Sequence, residues 1–478
     1  MTISYPGSQP LTPPELLTPP SGAGRPRLTF LGTGYLGATY AICFAEMGYE
    51  VLGFDVDEPK IAKLASGEVP FHEPGLDELL RKNLAGGRLR FTTSYDEVAE
   101  FGDVHFICVG TPQRADGLAA DLSYVESAVT GLAPKLTRKA LIVGKSTVPV
   151  GTADWVEELI SRHAPAQAQV EVAWSPEFLQ EGFAVEDVLR PNRVIFGVKS
   201  DWAYGMLYGS HKGVFDLAMT EDREVPVVVT DFATAELVKV AANAFLATKI
   251  SFINAMAEVC EAAGADVTQL ARAIGYDPRI GNRFLRAGLG FGGACLPKDI
   301  RAFQARAQEL GVGEALRFLH EVDLINQRRR QRVVQLAAEL LDRPNGPAGP
   351  DLSGLRIAVL GATFKPNSDD VRDSPALSVV RKLSRTGASV AVYDPEGMAN
   401  AERELPEVGF AKTLTDAVAR ADLVCVLTEW EEFRNADPSA LAELVNGKRV
   451  IDGRNCLDQA LWVRAGWDYR GMGRPEPA

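Results

Sequence analysis

The chain has 478 residues, a formal net charge of -13 and 46% hydrophobic residues, enough for about three domains with substantial cores. The acidic balance argues against a broad nucleic-acid surface, and no apolar run approaches the length of a membrane span, so neither nucleic acid nor membrane is expected as a partner. Six scattered cysteines without a CxxC pair and five isolated histidines point to a reducing, cytoplasmic setting and to no metal site.

Residues 1–26 are rich in Pro, Ser and Thr and lack an apolar h-region, so they read as a disordered tail and not as a signal peptide. Arg27 to Leu31 is a short apolar strand that runs into Gly32-Thr33-Gly34-Tyr35-Leu36-Gly37 and then an apolar helix. The next strand ends in Asp55. That order is a dinucleotide-binding fingerprint in its proper context. Gly32 makes the tight turn, Gly34 lets backbone approach a pyrophosphate, and Gly37 lets helix and strand pack closely. Asp55 would accept from the adenosine ribose hydroxyls and repel a 2′-phosphate, which favours NAD over NADP. Lys60 is placed near the adenosine; by itself it reads rather as a solvated surface charge.

Further strands follow: VHFICVGTP, ending at Thr111 and Pro112; ALIVGKSTVPVGT, carrying Thr147; and VEVAWSPEFLQEG, with Glu177, Phe178, Leu179 and Glu181. Hydroxyls and acids at strand ends are often mere caps. Their recurrence at successive strand ends points to one shared crevice. Residues 27–225 are expected to form this NAD-binding, Rossmann-like domain.

Residues 226–342 read as a central helical, dimerising domain. A helix is predicted over Thr234 to Ala263, apolar on more than one narrow stripe, with Lys239 and Asn243 one turn apart. Then comes GLGFGGACLPKD, Gly288 to Asp299, followed by an amphipathic helix. Cys295 sits where the glycine-rich loop becomes that helix, facing its unpaired N–H groups, which favours a thiolate. Lys298 adds positive charge, and Asp299 shares a helical face with Cys295. The competing reading is a buried structural cysteine. A second helix is predicted over Ala315 to Leu341, ending at a Pro/Gly-rich linker, 343–354.

A second Rossmann-like unit is expected over 355–478, with strands LRIAVLG, SVAVYDP, ADLVCVLTEW and RVIDGRN. It repeats a strand running into glycine and a later acid, Asp394, but lacks the full fingerprint, so a different ligand is expected. Lys365, Arg372 and Arg454 at its strand ends suit a phosphate-bearing molecule. Arg372 and Arg454 read alternatively as ion-pair partners of Asp370, Asp373 and Asp452. The fold class is therefore α/β: two Rossmann-like doubly wound domains joined by a central helical region.

NAD chemistry beside a nucleophilic cysteine implies oxidation of an alcohol through an aldehyde to an acid, by way of a thiohemiacetal and a thioester. Across the chain from Arg27 onward, GTGYLG, VGTPQRADGLAADLSYV, KSTVPVGT, SPEFLQEG, AANAFLATKISFIN, DPRIGNRFL, GFGGACLPKD, FKPNSDDVRDSP and DGRN occur in order. With these motifs the sequence resembles the UDP-glucose/GDP-mannose dehydrogenase family. It departs from the family wording at Ser175, Ala294 and Leu296, none of which is a proposed catalytic group.

The resemblance implies oxidation of UDP-glucose to UDP-glucuronate with NAD, with Cys295 as nucleophile. Lys239 and Asn243 would stabilise an oxyanion. Thr147 and Asp299 would hold a catalytic water, and Glu181 would serve thioester hydrolysis, with Glu177 positioning it or the substrate. Thr111, Pro112, Thr147, Glu181, Lys298 and Arg372 would also line the cofactor. Phe178, Leu179 and the stretch from Phe284 through Gly288, Phe291 and Gly292 would hold the sugar nucleotide, with Phe364, Lys365 and Arg454 on its UDP part. Arg279, with no obvious partner in its own loop, would reach substrate from the neighbouring subunit of a homodimer. Another sugar nucleotide (GDP-mannose or a UDP-N-acetyl sugar), or an inactive sugar-nucleotide-binding module, are the alternatives.

Overall fold

The computed structural model describes residues 25–476 except 344, 347 and 348, so residues 1–24 of the expected tail lie outside the described residues. The chain divides after Val240 into two compact units.

The first unit is built on eight strands: β1 (Leu28–Leu31), β2 (Val51–Phe54), β3 (Leu89–Thr92), β4 (Val104–Ile107), β5 (Ala140–Gly144), β6 (Val170–Trp174), β7 (Val194–Gly197) and β8 (Val227–Thr230), in the order β3-β2-β1-β4-β5-β6-β7-β8. Strands β1 to β6 are parallel. Strand β7 turns antiparallel to β6, and β8 follows β7. The near-continuous apolar runs are explained by burial on both faces. Leu28 and Phe30 join Val104, Phe106, Leu141 and Val143 in one core, while Leu31 joins Ile107, Ala140 and Ile142 in the other. The order reverses between β1 and β4, and in such sheets ligands bind beyond the carboxyl ends of the strands at that switch point.

In the second unit a short antiparallel pair, β9 (Asn345–Gly346) and β10 (Gly349–Pro350), occupies the expected linker. Beyond it lie β11 (Arg356–Leu360), β12 (Ser389–Tyr393), β13 (Gly409–Phe410), β14 (Leu423–Val426), β15 (Arg449–Asp452) and β16 (Asp468–Gly471). They form one parallel sheet in the order β13-β12-β11-β14-β15-β16, the same winding as β1 to β6. Ile357 and Val359 face one core, Ala358 and Leu360 the other. The edge strands β13 and β16 escape the sequence reading because they are short and carry little apolar sequence.

The 32-residue helix Phe232–Ala263 starts in the first unit and ends in the second. By length and composition alone it is long and apolar enough to cross a membrane, with 44% of its most apolar window buried. This corrects the expectation that no run reaches that length. The predicted helix over Ala315 to Leu341 instead begins as a 3-10 turn, Gly313–Leu316, and becomes α-helical over Phe318–Leu340.

Candidate active site

The fingerprint turn is shaped by close approach. A Cβ on Gly37 would stand 1.9 Å from the Gly32 carbonyl oxygen, so any larger residue would push the helix Tyr35–Glu46 away from β1. Gly34 is the opposite case, with nothing within 4 Å of its would-be Cβ. It is the N-cap of that helix and provides no side-chain cap. The first N–H groups therefore face an open cradle suited to a pyrophosphate, and the residues present fit a dinucleotide.

Asp55 follows β2 and is 8% exposed. Its Oδ2 accepts from the Thr33 N–H at 2.9 Å, the Thr33 hydroxyl at 3.3 Å and Lys60 Nζ at 2.9 Å. Its Oδ1 accepts from the Asp57 N–H at 3.1 Å. A carboxylate offers about four acceptor positions, so the remaining capacity lies on Oδ1. Lys60 is brought to Asp55 itself.

At the neighbouring strand ends the Thr111 hydroxyl donates to the Thr147 carbonyl at 2.7 Å. Pro112 is exposed and Thr147 half-buried. Glu177 and Lys239 form a buried ion pair, with Nζ 2.9 Å from Oε1. The other Glu177 oxygen accepts from the Leu179 N–H. Phe178 is stacked under the Arg193 guanidinium at 3.7 Å. Glu181 is half-buried two residues beyond Leu179.

Sequence reasoning passed over three buried charges here. Lys145 is 2% exposed; its Nζ donates to the Ser175 carbonyl at 3.0 Å and lies 4.4 Å from the Tyr40 ring centroid. Burial pushes it down to about 8. Glu236 accepts from the Gly151 and Ala153 N–H groups, both at 2.7 Å, and so ties the end of the Thr147 loop to the helix that carries Lys239. Burial raises it to about 7. Its signal was its place three residues before Lys239, nearly on the same helical face. Glu73 is the third, in a Glu-Pro-Gly turn that reads only as a loop.

In the second unit the glycine-rich loop is pinned. The Gly288 N–H donates to Asn254 at 2.9 Å, the Leu289 N–H to the Gly453 carbonyl at 2.9 Å and the Phe291 N–H to Asn326 at 2.7 Å. Gly290 has φ +99, and a Cβ there would meet Asn326 Oδ1 at 2.2 Å. The loop delivers Cys295 as N-cap of the helix Leu296–Glu309, with Pro297 in its first turn. Among the described residues Cys295 is the one exposed cysteine. Burial pushes Cys108 and Cys425 each up to about 12, which keeps those thiols protonated. The buried-cysteine reading of Cys295 therefore fails. Asp299, 1% exposed, is bound from two sides, by Asn243 Nδ2 at 2.7 Å and by Lys298 Nζ at 2.6 Å. Lys298, expected near cofactor phosphates, is directed at Asp299.

Arg454 is brought to the loop. Its guanidinium donates to the carbonyls of Leu427, Gly290 and Phe364 at 2.8, 2.8 and 2.9 Å, and it is Glu429 at 3.4 Å, not Asp452, that faces it. Lys365 Nζ lies 5.3 Å from the Phe364 ring centroid. Arg372 is exposed and makes a fork with Asp370. Arg279 requires a correction. It is 86% exposed but pairs with Asp277 two residues earlier, at 2.6 Å, so its loop does supply a partner. Phe284 has φ +64, a costly conformation for a bulky side chain that the surrounding loop must enforce. Asp394 is fully buried and saturated by the N–H groups of Ala362, Thr363 and Gly397 and by Trp430 Nε1. It therefore holds its own turn together, where the corresponding Asp55 keeps capacity for a ribose. Among the described residues no group of three or more His, Cys, Asp or Glu could hold a metal.

Fold and site define a class: an oxidoreductase on a dinucleotide-binding sheet, with a thiol at the start of a helix. The family comparison is specific. Residues 26–208 match the NAD binding domain, 233–328 the central domain and 358–459 the UDP binding domain of the UDP-glucose/GDP-mannose dehydrogenase family. The chain belongs to that family, and its cofactor is NAD. It is 42% identical over 451 residues to a UDP-glucose 6-dehydrogenase of Rhizobium meliloti (strain 1021), covering 94% of this chain and all of the relative. It is 38% identical over 450 residues to UDP-glucose 6-dehydrogenase YwqF of Bacillus subtilis (strain 168), covering 94% and 97%. The solved structure of a UDP-glucose dehydrogenase from Pyrobaculum islandicum superposes with a TM-score of 0.85 at 36% identity, covering 95% of this chain and 99% of that one.

Proposed function

We propose that the chain oxidises UDP-glucose at C6 to UDP-glucuronate, passing one hydride to each of two NAD molecules in turn, the second from an adduct on Cys295. The observation that carries this reading is Cys295 exposed at the start of a helix whose first turn buries Asp299 between Asn243 and Lys298. When bound, NAD accepts a hydride in each of the two oxidations. The chain's residues do the rest. Asp299 is assigned the water that takes the proton of the C6 hydroxyl in the first oxidation. The Cys295 thiolate then adds to the aldehyde carbon, and Lys239 and Asn243 stabilise the oxyanion that forms. Loss of the second hydride from this adduct leaves a thioester. Glu181 serves its hydrolysis, and Glu177 holds Lys239 in place. Arg454 and Lys365 are assigned to the UDP part. Arg372 is kept as a cofactor-phosphate contact that must leave Asp370 to act.

The domain limits 27–225, 226–342 and 355–478 belong to the same proposal. So does a homodimer formed through the central helix. Phe245, Phe252 and Val259 are 67%, 50% and 57% exposed at seven-residue spacing on it, a stripe suited to a second copy of the chain. We place the enzyme in the cytoplasm, where a thiol such as Cys295 stays reduced. The test is NADH formed per sugar across a panel of sugar nucleotides. Two NADH per UDP-glucose, with far lower kcat/KM on GDP-mannose and UDP-N-acetyl sugars, is the expected result. No NADH from any of them would refute the reading in favour of a binding module.

A further inference from the structure

Glu73 is 6% exposed and lies in no motif tied to the reaction. Its carboxylate gathers three donors from two distant stretches. Oε2 accepts from the Tyr35 hydroxyl and from the Gly182 N–H at 2.6 Å, and Oε1 accepts from the Ala184 N–H at 2.8 Å. The Gly182 N–H also reaches the Tyr35 oxygen at 3.1 Å. Tyr35 is the first residue of the helix that opens on the pyrophosphate cradle. Gly182 and Ala184 are the first and third residues after Glu181. Burial, then the hydrogen bond and charge of Glu73, then the charge of Glu181, hold the Tyr35 phenol well above its ordinary pKa. Tyr35 thus stays a donor, and Glu181 lies within its electrostatic reach. Gly182 has φ +77, so the chain turns sharply just where Glu73 grips it. A carboxylate buried this deeply and bonded this fully fixes the backbone on both sides.

We propose that Glu73 is a positioning residue for Glu181: it clamps the backbone after Glu181 to the first turn of the cofactor-binding helix, and hydrolysis of the thioester depends on that clamp more than the hydride transfers do. This rests on the hydrolytic role assigned to Glu181 above. In that step water oxygen bonds to the acyl carbon as one water proton passes to Glu181. The carbon–sulfur bond breaks, the Cys295 sulfur takes the proton from Glu181, and the second water proton leaves to solvent as the acid ionises. A base displaced by a fraction of its reach loses this step first, because it must meet a water and not a tethered group.

The test is rapid-mixing kinetics with saturating NAD and UDP-glucose, paired with intact-protein mass spectrometry. Glu73→Gln places an amide N–H against backbone N–H donors and breaks the clamp. Expected is a burst of two NADH per site at near wild-type rate, then a steady state slowed by about 100-fold, with the acyl adduct accumulating on the protein. Tyr35→Phe removes one donor and should show the same pattern at about tenfold; it carries the test if Glu73→Gln does not fold. Glu73→Asp, which keeps the carboxylate, should recover part of the steady-state rate. A parallel fall of burst and steady state, or an unchanged steady state, would overturn the proposal. Glu181→Gln separates the two levels. If it gives no burst, the role of Glu181 itself falls; if it gives a burst and Glu73→Gln does not, only the clamp falls.

Discussion

Cofactor choice turns on one carboxylate and the lysine beside it. Asp55 already accepts from Thr33, Asp57 and Lys60, leaving room on Oδ1 for one ribose hydroxyl. A hydrogen bond to a charged acceptor contributes about 1.5–3 kcal/mol, or about 10- to 150-fold in affinity at 1.4 kcal/mol per tenfold. A 2′-phosphate within about 4 Å of Asp55 would meet about 4 kcal/mol of repulsion per unit charge at an effective dielectric near 20. Lys60 Nζ, 2.9 Å from Asp55, attracts the same phosphate with an energy of similar order, so only the difference acts. NAD preference should therefore come mainly from the lost hydrogen bond, at about 10- to 100-fold in kcat/KM. Asp55→Asn should weaken NAD by about tenfold or more and bring NAD and NADP close together. Lys60→Ala should widen the preference, because the repulsion is then unopposed. The assay is NADH or NADPH formation at subsaturating cofactor, with cofactor affinity measured separately by calorimetry. Asp55→Asn also turns an amide toward the buried Thr33 N–H, at a cost of about 1–3 kcal/mol, so its melting temperature must be followed as a control. An unchanged NAD-to-NADP ratio in Asp55→Asn, or a narrowed one in Lys60→Ala, would refute the reasoning.

Cys295→Ala should abolish UDP-glucuronate formation while the melting temperature stays near wild type, because the thiol is exposed and trimming an exposed side chain costs within about 0.5 kcal/mol. Two NADH per UDP-glucose at wild-type rate from that variant would remove Cys295 from the chemistry. Asp299→Ala should cost about 1–3 kcal/mol in denaturant unfolding as well as turnover, since it removes the carboxylate that the buried Asn243 amide and the Lys298 ammonium both bond; loss of activity without loss of stability would argue against that packing. Phe252→Glu should shift sedimentation from dimer toward monomer, and an unchanged profile would move the interface elsewhere. Glu236 binds its proton more tightly folded than unfolded, at about 7 against 4.5. Its contribution to stability is full below about 4.5 and is lost as pH rises through 7. Glu236→Gln should therefore flatten the fall in melting temperature across that window, and an unaltered pH profile would show the carboxyl does not titrate there.

What could be read from the one-dimensional chain is what depends on near neighbours. The turn Gly32 to Gly37, the apolar strands feeding it, and the loop-to-helix step at Cys295 follow from residue types a few positions apart, because backbone geometry and helix ends are local physics. The motif order was enough to place the family. Pairings between distant residues were not legible. The edge strands β13 and β16 needed a sheet to lean on, and the helix predicted from Ala315 could not show where its first turn would tighten to 3-10. Arg279 is the near-neighbour exception, because its loop conformation, not its spacing, decides that Asp277 two residues earlier pairs with it. Glu73 and Lys145 give no signal in sequence, and Glu236 only its place three residues before Lys239, because a charged residue reads as surface until folding buries it. Tertiary structure alone decides which donors then surround it, since the cost of burying a charge compels partners that lie, for Glu73 and Gly182, 109 residues away.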